Sequence, residues 1–435
     1  MSRILYFILF TVPLFSSTLD GLIDYAIKHS TVVKQSQAES DLTKVKHTES
    51  QSEQLGSIDL VANYTRYNLP RTLIPLTPAV MKNPVSAANV ATTKDLFGTG
   101  IFYSVPLFTG FAQTRQIEMD SMAIKLSQSK LSLTKEQLAY NVASLYLSIL
   151  ALKDMTKAQK QHVEALRKLK NTIKNEVEFG KKAQLDLLKA ENDLYGNISY
   201  LEVIKGNIAI TKATLGSLIG MDHIGTLKSI KVSVKKPNYS ISRLLRTTSS
   251  LDKVIIADLN LKKAGKGIEK SESGKLPQVS LNSYYGYNYG VNDSTNLNSG
   301  DFANEKNWQV GLNATWTLYD FGKRDATTQK AKIAHMQAGY TKEQTLLDLK
   351  KSLIEATEKI KQEYANYQSN RKQLSLAQKS EKIEKVRYHN GVSTINDLLY
   401  AKSQTHLASA KLIESKYNYQ KGKFYMDYLL ERGIK

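Results

Sequence analysis

The sequence predicts a mainly α-helical chain with a small β part, built as a tandem duplication. Three observations carry that expectation. No proline interrupts Phe111 to Phe179, and apolar side chains recur at Leu138, Val142, Leu145, Ile149 and Leu152, alternately four and three apart. This is the seam of a helix that packs along its length on a neighbour. At 1.5 Å per residue the stretch makes a rod roughly 100 Å long. The same pattern returns 211 positions later: Leu138, Val142 and Ile149 become Leu349, Leu353 and Ile360. Leu107-Phe108 likewise becomes Leu318-Tyr319, and Asp186-Leu187-Leu188 becomes Asp397-Leu398-Leu399. A constant offset from 107 to 190 leaves no insertion or deletion across the whole rod. Finally, apolar and polar residues alternate just before each rod, as in a half-buried strand. The seam lapses at Thr156 and Gln159 and resumes at Val163, Leu166, Ile173 and Val177.

Composition narrows the function classes. The chain has 435 residues, 41% of them apolar, enough to fold into more than one ordinary domain. The absence of cysteine excludes disulfides, zinc–thiolate sites, thiol nucleophiles and a lipid-modified N-terminal cysteine. Sixty basic against forty acidic residues give +20. Such a charge suits nucleic acid, an anionic membrane surface or acidic partners, and equally a lysine-coated rod. Met1 to Ser17 has the make-up of a secretory signal: Arg3, the apolar run Ile4 to Phe15, then Ser16-Ser17-Thr18. The apolar run is too short to span a bilayer, and no later stretch approaches 18 apolar residues. Integral contact with a membrane would therefore be made by strands.

In chain order, Thr18 is placed to cap a helix from Leu19 to about Gly56. Ser57 to Tyr67 alternates with Ile58, Leu60, Ala62 and Tyr64 on one face, the mark of a strand. Asn68 to Asp95 holds Pro70, Pro75, Pro78 and Pro84 and is expected as a long loop. Gly98 to Phe108 is a second strand, and the first rod follows. The rod stops at Gly180, and a helix to about Gly220 comes next. An irregular linker spans 221 to 250, and a short helix runs from Leu251 to Ser273 before Gly274 and Pro277. Val279 to Gly290 is a tyrosine-rich strand, Val291 to Asn307 a polar loop, and Trp308 to Tyr319 the clearest strand of all. The second rod runs from about Lys323 to His389, and a last helix from about Thr394 to the C-terminus. The expected organisation is a signal at 1–17, a first repeat at 18–220, a linker at 221–250 and a second repeat at 251–435. In each half, two shorter helices stacked end to end match the length of the rod.

The tryptophans of the Trp308 strand stand eight residues apart on its apolar face. Roughly 26 Å along a strand, tilted by about 40°, spans close to the height between the aromatic girdles of an outer-membrane barrel. Tyr64, Tyr103, Tyr285 and Tyr287 are candidates to join Trp308 and Trp316 in those girdles. An ordinary half-buried strand of a soluble sheet is the alternative. Four strands cannot close a barrel, and open edges are not tolerated in lipid. Two copies would give eight strands and a filled interior; three would give twelve and an open lumen.

Pro106-Leu107-Phe108-Thr109-Gly110 at the entry to the first rod, with Tyr388, Gly391, Thr394 and Asp397-Leu398-Leu399 at the second turn, resembles the TolC-like outer-membrane efflux proteins. The resemblance covers nearly all of residues 19 to 435. It implies a homotrimer with one twelve-strand barrel, four strands per chain, in the outer membrane of a Gram-negative bacterium. A long α-helical coiled-coil tunnel would continue the barrel into the periplasm. It further implies docking on a periplasmic adaptor (membrane fusion) protein joined to an inner-membrane transporter of RND or ABC type. The cargo would be small molecules such as drugs, toxic compounds or metals, or else protein substrates of a type I secretion system. Acidic residues just after the turn glycine form a periplasmic gate in such proteins. Asp397 matches the first of these, Tyr400 stands where a second acid can occur, and Asp186 is the first-repeat equivalent. A plain helix N-terminal role is the other use for both aspartates. Gly180 and Gly391 suit the reversal of a rod through positive φ. With Lys181, Lys182 and Tyr388 they make up the expected adaptor-docking tip.

No catalytic constellation is visible. Ser273-Gly274-Lys275 lacks the upstream glycine of a phosphate-binding loop, and no HExxH or GxSxG occurs. The expectation is a non-enzyme with no cofactor or metal, whose transport energy comes from a partner. A secreted basic coiled-coil protein holding an anionic polymer is the rival from another class. Nucleic acid is not expected as a partner, because the tyrosines cluster in strands with few lysines.

Overall fold

A computed structural model describes residues 18–295 and 298–434; the expected signal segment lies outside the described residues. In chain order the elements are α1 (Leu19–His29), α2 (Thr31–Ser52), β1 (Ser57–Thr72), α3 (Pro78–Lys82), α4 (Pro84–Ala88), β2 (Thr92–Phe108) and α5 (Ala112–Glu178). There follow α6 (Gln184–Ile219), α7 (Ile241–Arg246), α8 (Asp252–Glu272), β3 (Gln278–Val291), β4 (Phe302–Thr315), α9 (Lys323–His389) and α10 (Ile395–Leu429). Among the described residues no helix is long and apolar enough to cross a membrane. Both expected rods form, 67 residues each. The helices α1, α2 and α6 contain 11, 22 and 36 residues, so together they match α5; α8 and α10, with 21 and 35, fall short of α9.

The chain packs as two compact units, each drawing on both repeats. One contains the described residues up to Glu39, Gln128–Ile256 and Glu343 onward. In it the seam residues do what their spacing requires: Leu138, Val142 and Ile149 are 3%, 0% and 0% exposed, and Leu349, Leu353 and Ile360 are 2%, 0% and 0%. The first set packs with Leu22 and Ala26 of α1 and Leu215 and Ile219 of α6. The second packs with Val254 of α8 and Met426 and Leu429 of α10. The Thr18 hydroxyl accepts a hydrogen bond from Gly21 N–H at 3.2 Å and starts α1 as expected. The single helix expected over 19–56 is divided at Ser30. Its extended ψ of 132° ends α1, while its carbonyl already accepts the Lys34 N–H of α2 at 3.1 Å.

The second unit, Ser40–Ser127 with Ala257–Lys342, holds one antiparallel sheet in the order β1-β2-β3-β4. Its strands are longer than the alternation foretold. β1 continues past Tyr67 to Thr72 because Pro70, which has no N–H to give, sits within the register shift between Arg66 and Arg71. The expected loop at 68–95 is thus shortened from both ends and carries α3 and α4. β4 begins at Phe302, inside the expected polar loop, since Val291 pairs with Phe302 and Tyr289 with Asn304. It ends at Thr315 rather than Tyr319. Thr315 faces Gln278, and the next partner would be Pro277, which cannot donate to the ladder. Trp316, Leu318 and Tyr319 therefore lie beyond the strand, and the two tryptophans do not share one ladder. The Trp316 indole N–H donates instead to Lys275 O at 3.1 Å.

Register aligns Leu60, Ile101, Tyr285 and Trp308 in one row across all four strands, and Ile58, Tyr103, Ser283 and Val310 in the next. On this face Leu60, Leu312 and Trp308 are 85%, 70% and 66% exposed, so none of the described elements covers it. The opposite face carries Asn63, Gly98, Ser104, Asn282 and Asn313; Ser104 donates to Asn282 Oδ1 at 2.9 Å.

Each rod is entered through two consecutive residues at positive φ. In the first repeat they are Gly110 (62°) and Phe111 (70°); in the second they are Phe321 (55°) and Gly322 (86°). The repeats thus exchange the order of glycine and phenylalanine. At Gly110 a Cβ would lie 2.4 Å from Ser273 O, so a side chain is excluded there.

The buried seam sets a magnitude. Leu353→Ala is expected to destabilise the helical unit by about 2–5 kcal/mol. This is read as a lower melting temperature of the helical circular-dichroism signal, with little change for the exposed Leu376→Ala.

Candidate functional site: the two helix-reversing turns

Each rod ends in the same local construction. In the first turn Lys181 N–H reaches Glu176 O at 2.8 Å and Gly180 N–H reaches Val177 O at 2.9 Å. In the second, Val392 N–H reaches Arg387 O at 2.8 Å and Gly391 N–H reaches Tyr388 O at 3.1 Å. These paired bonds define a Schellman motif, which needs a left-handed residue at its end. Gly180 and Gly391 supply it at φ 71° and 74°. Nothing lies within 4 Å of a Cβ at either position, so conformation alone asks for glycine.

The turns pack on one another. Ile173, Leu187 and Ala190 of the first hairpin form one apolar cluster with Tyr388, Ile395 and Leu398 of the second. Tyr388 is 5% exposed, and its hydroxyl donates to Asp186 Oδ2 at 3.5 Å. Burial, and then the charge of Asp186, push the Tyr388 hydroxyl far above its usual titration range, so it stays a donor at every ordinary pH. The Lys182 ammonium lies 4.1 Å from the centre of the Tyr388 ring and donates to Tyr388 O at 3.4 Å. Lysine, tyrosine and aspartate thus clasp the first turn to the second.

The two aspartates, equivalent by the 211-residue offset, do different work. Asp397 is the third residue of α10 behind the N-cap Thr394 and completes a capping box. Its carboxylate accepts Thr394 N–H at 2.9 Å and the Thr394 hydroxyl at 2.7 Å, while its own N–H donates to Thr394 Oγ1. Those bonds, the hydroxyl's first, hold the carboxyl below the usual range. The cap is therefore intact at neutral pH and is lost as pH falls through that lowered value. In the first repeat the N-cap is Ala183, which has no side chain to bond, so Asp186 is left for Tyr388. Tyr400 is 67% exposed. Lys181 is exposed, as are Gly180 and Gly391.

Sequence reasoning named Asp186, Asp397, Tyr388, Lys182 and the two glycines, but not their partnership and not Ala183. The available signal was Ala183 opposite Thr394, a missing cap that leaves one carboxylate unemployed. The remaining candidates sit on the sheet. The Tyr64 ring lies against Phe97, tilted by 36° with centroids 4.7 Å apart, and the Tyr103 hydroxyl donates to Leu55 O at 3.0 Å. Tyr285 pairs with Trp308, and Tyr287 with Lys306. Among the described residues no group of acids and histidines is arranged to hold a metal.

The chain belongs to the outer membrane efflux protein family, whose model matches residues 22–221 and 253–423. It is 21% identical to the outer membrane protein TolC of Vibrio cholerae over 330 residues, 75% of this chain and 74% of that one. Its fold is that of a membrane protein from Pseudomonas aeruginosa, with TM-score 0.79, 14% identity, and 95% and 90% of the two chains covered. The Campylobacter jejuni CmeC outer membrane channel is similar to the same degree, with TM-score 0.78, 16% identity, and 96% and 86% covered. The mainly helical, four-stranded architecture expected from the sequence is thus the family's own, and with it go the outer membrane as location and a general role in efflux.

The asymmetry at the caps is open to test. Ala183→Thr, which gives α6 the box that α10 already has, is expected to stabilise the protein by about 1 kcal/mol. It should also draw Asp186 away from Tyr388, seen as a lengthened Tyr388–Asp186 distance in a structure of the variant.

Proposed function

We propose that three copies of this chain close a twelve-strand barrel in the outer membrane and that their helices line one export duct. The observation that carries this is the sheet: one apolar face left uncovered, one polar face, and two edge strands, β1 and β4, with unpaired backbone groups. In lipid such edges must be satisfied by further strands, and twelve leave a lumen for the polar face. Trp308, Tyr285, Tyr287, Tyr64 and Tyr103 serve as interfacial aromatics on the lipid side, with Trp316 just below the ladder.

The turns are the regulated end. The Tyr388–Asp186 bond and Lys182 hold the hairpins together in the closed state, and parting them widens the passage. Asp397, exposed and ionised beside its cap, contributes an acidic ring, with Tyr400 beside it one turn on. Lys181 and the glycine turns meet a periplasmic adaptor, which links the duct to an inner-membrane pump of RND or ABC type. Small molecules are the cargo. In this reading the chain acts as a conduit, and the transport energy comes from the pump.

Two measurements test this. Leu312→Arg on the apolar face should cost about 2–4 kcal/mol if the site lies at the bilayer midplane, seen as loss of folded trimer in the outer membrane. Asn313→Arg, one residue on and facing the other way, should leave assembly intact. In planar bilayers Tyr388→Phe and Asp186→Asn should each raise conductance several-fold, and Asp397→Asn should lower preference for cations. Equal losses for both arginine variants, or unchanged conductance, would refute the barrel and the clasp respectively.

A further inference from the structure

The lapse of the apolar seam at Gln159 opens a polar layer inside the helical unit. Gln159 is fully buried and donates to Asn197 O and Oδ1 of α6 at 2.9 and 3.1 Å. One turn on, the ring of His162 on α5 lies face to face with that of His406 on α10, with centroids 4.6 Å apart and planes 10° from parallel. Both rings are half-buried. Lys402, one turn before His406, has a side chain only 10% exposed and bonds Glu381 of α9 at 3.1 Å. The layer joins the first repeat to the second and lies about 25 Å along α5 from the turn. It belongs neither to the clasp nor to the sheet.

Two neutral imidazoles stack favourably in such a place; a proton on either changes the balance. The new charge would sit in a desolvated contact with a lysine one turn away. Glu381, whose charge is felt at His162, is already engaged by that lysine. Asp193 of α6 accepts from Asn197 beside the layer, and burial raises its carboxyl, so it gives up its negative charge early as pH falls and does not offset the new one. The next charged contact between α5 and α10 is Asp154 with Lys416, two turns above.

We propose that the His162–His406 stack is an acid-released latch between α5 and α10, closed while both rings are neutral and opened by protonation. The direction follows from linkage. Burial first, then His406 and Lys402, lower His162 from 6.5 to about 4 in the packed state. A parted His162 regains its ordinary affinity for protons. The packed state is therefore fully stable above 6.5 and loses stability as pH falls from there towards 4. Between pH 7.5 and 5.5 the parted form should gain about tenfold over the packed form from His162 alone. His406, lowered by burial, acts in the same direction.

The latch stands apart from the proposed gate, so its test reads the rods and not the conductance. The chain has no cysteine, which lets Lys160→Cys on α5 and Ser403→Cys on α10, both exposed, carry spin labels in the full-length protein in detergent. The shortest inter-label distance should lengthen between pH 7.5 and pH 5 in the otherwise unaltered protein. It should stay fixed when His162→Phe and His406→Phe keep the stack but remove the titration. An unchanged distance in the parent, or equal lengthening in the phenylalanine pair, overturns the proposal. If the double variant does not assemble, His162→Asn is judged by the same criterion.

Discussion

The structure depends on a sheet that cannot be complete in one chain. Four strands with an apolar face and two open edges have no stable home as a single copy, in water or in lipid. Everything else accommodates this. Polar Asn, Ser, Thr and Gly line the other face, where a lumen full of water would meet them. The strands run on past the apolar band into polar sequence, since backbone pairing and not side-chain burial decides where they end. The rods emerge directly from β2 and β4 through paired left-handed residues, so the sheet fixes where each helix begins.

Duplication gave the chain two copies of a strand–rod–turn–rod unit, and the copies have since taken separate roles. The rods kept equal lengths, and Leu138, Val142 and Ile149 and their counterparts Leu349, Leu353 and Ile360 stayed buried. Departures from equivalence are clear at the junctions. Glycine and phenylalanine changed places at the rod entries. At the turns, threonine in one repeat and alanine in the other divided two matching aspartates between a helix cap and a bond across the repeats.

Much of this was legible in the sequence, for identifiable reasons. Helices of 67 residues leave a periodic signal many turns long, so α5 and α9 fall within a residue or two of their expected ends. β4 shows what periodicity misses. Its first residues, Phe302 to Asn307, are mostly polar because they pair beyond the apolar band, and its end is set by Pro277 on another strand. The division at Ser30 left no proline or glycine to mark it. At the turns, the family resemblance named Tyr388, the repeat offset pointed to Asp186, and the basic run after Gly180 to Lys182. Their meeting is a matter of three dimensions, since Tyr388 and Asp186 are 202 positions apart.

The equal rods have a consequence for how such a chain can change. One residue added to a single rod would turn everything beyond it by about 100° and carry its tip about 1.5 Å past the other. The seam would then face away from its partner, and Tyr388 would no longer find Asp186. Lengthening must come in whole helical repeats, entered in both halves of the gene and matched in the returning helices. The length of the rods is in that sense quantised, and a lineage can alter it only by rare, coordinated steps.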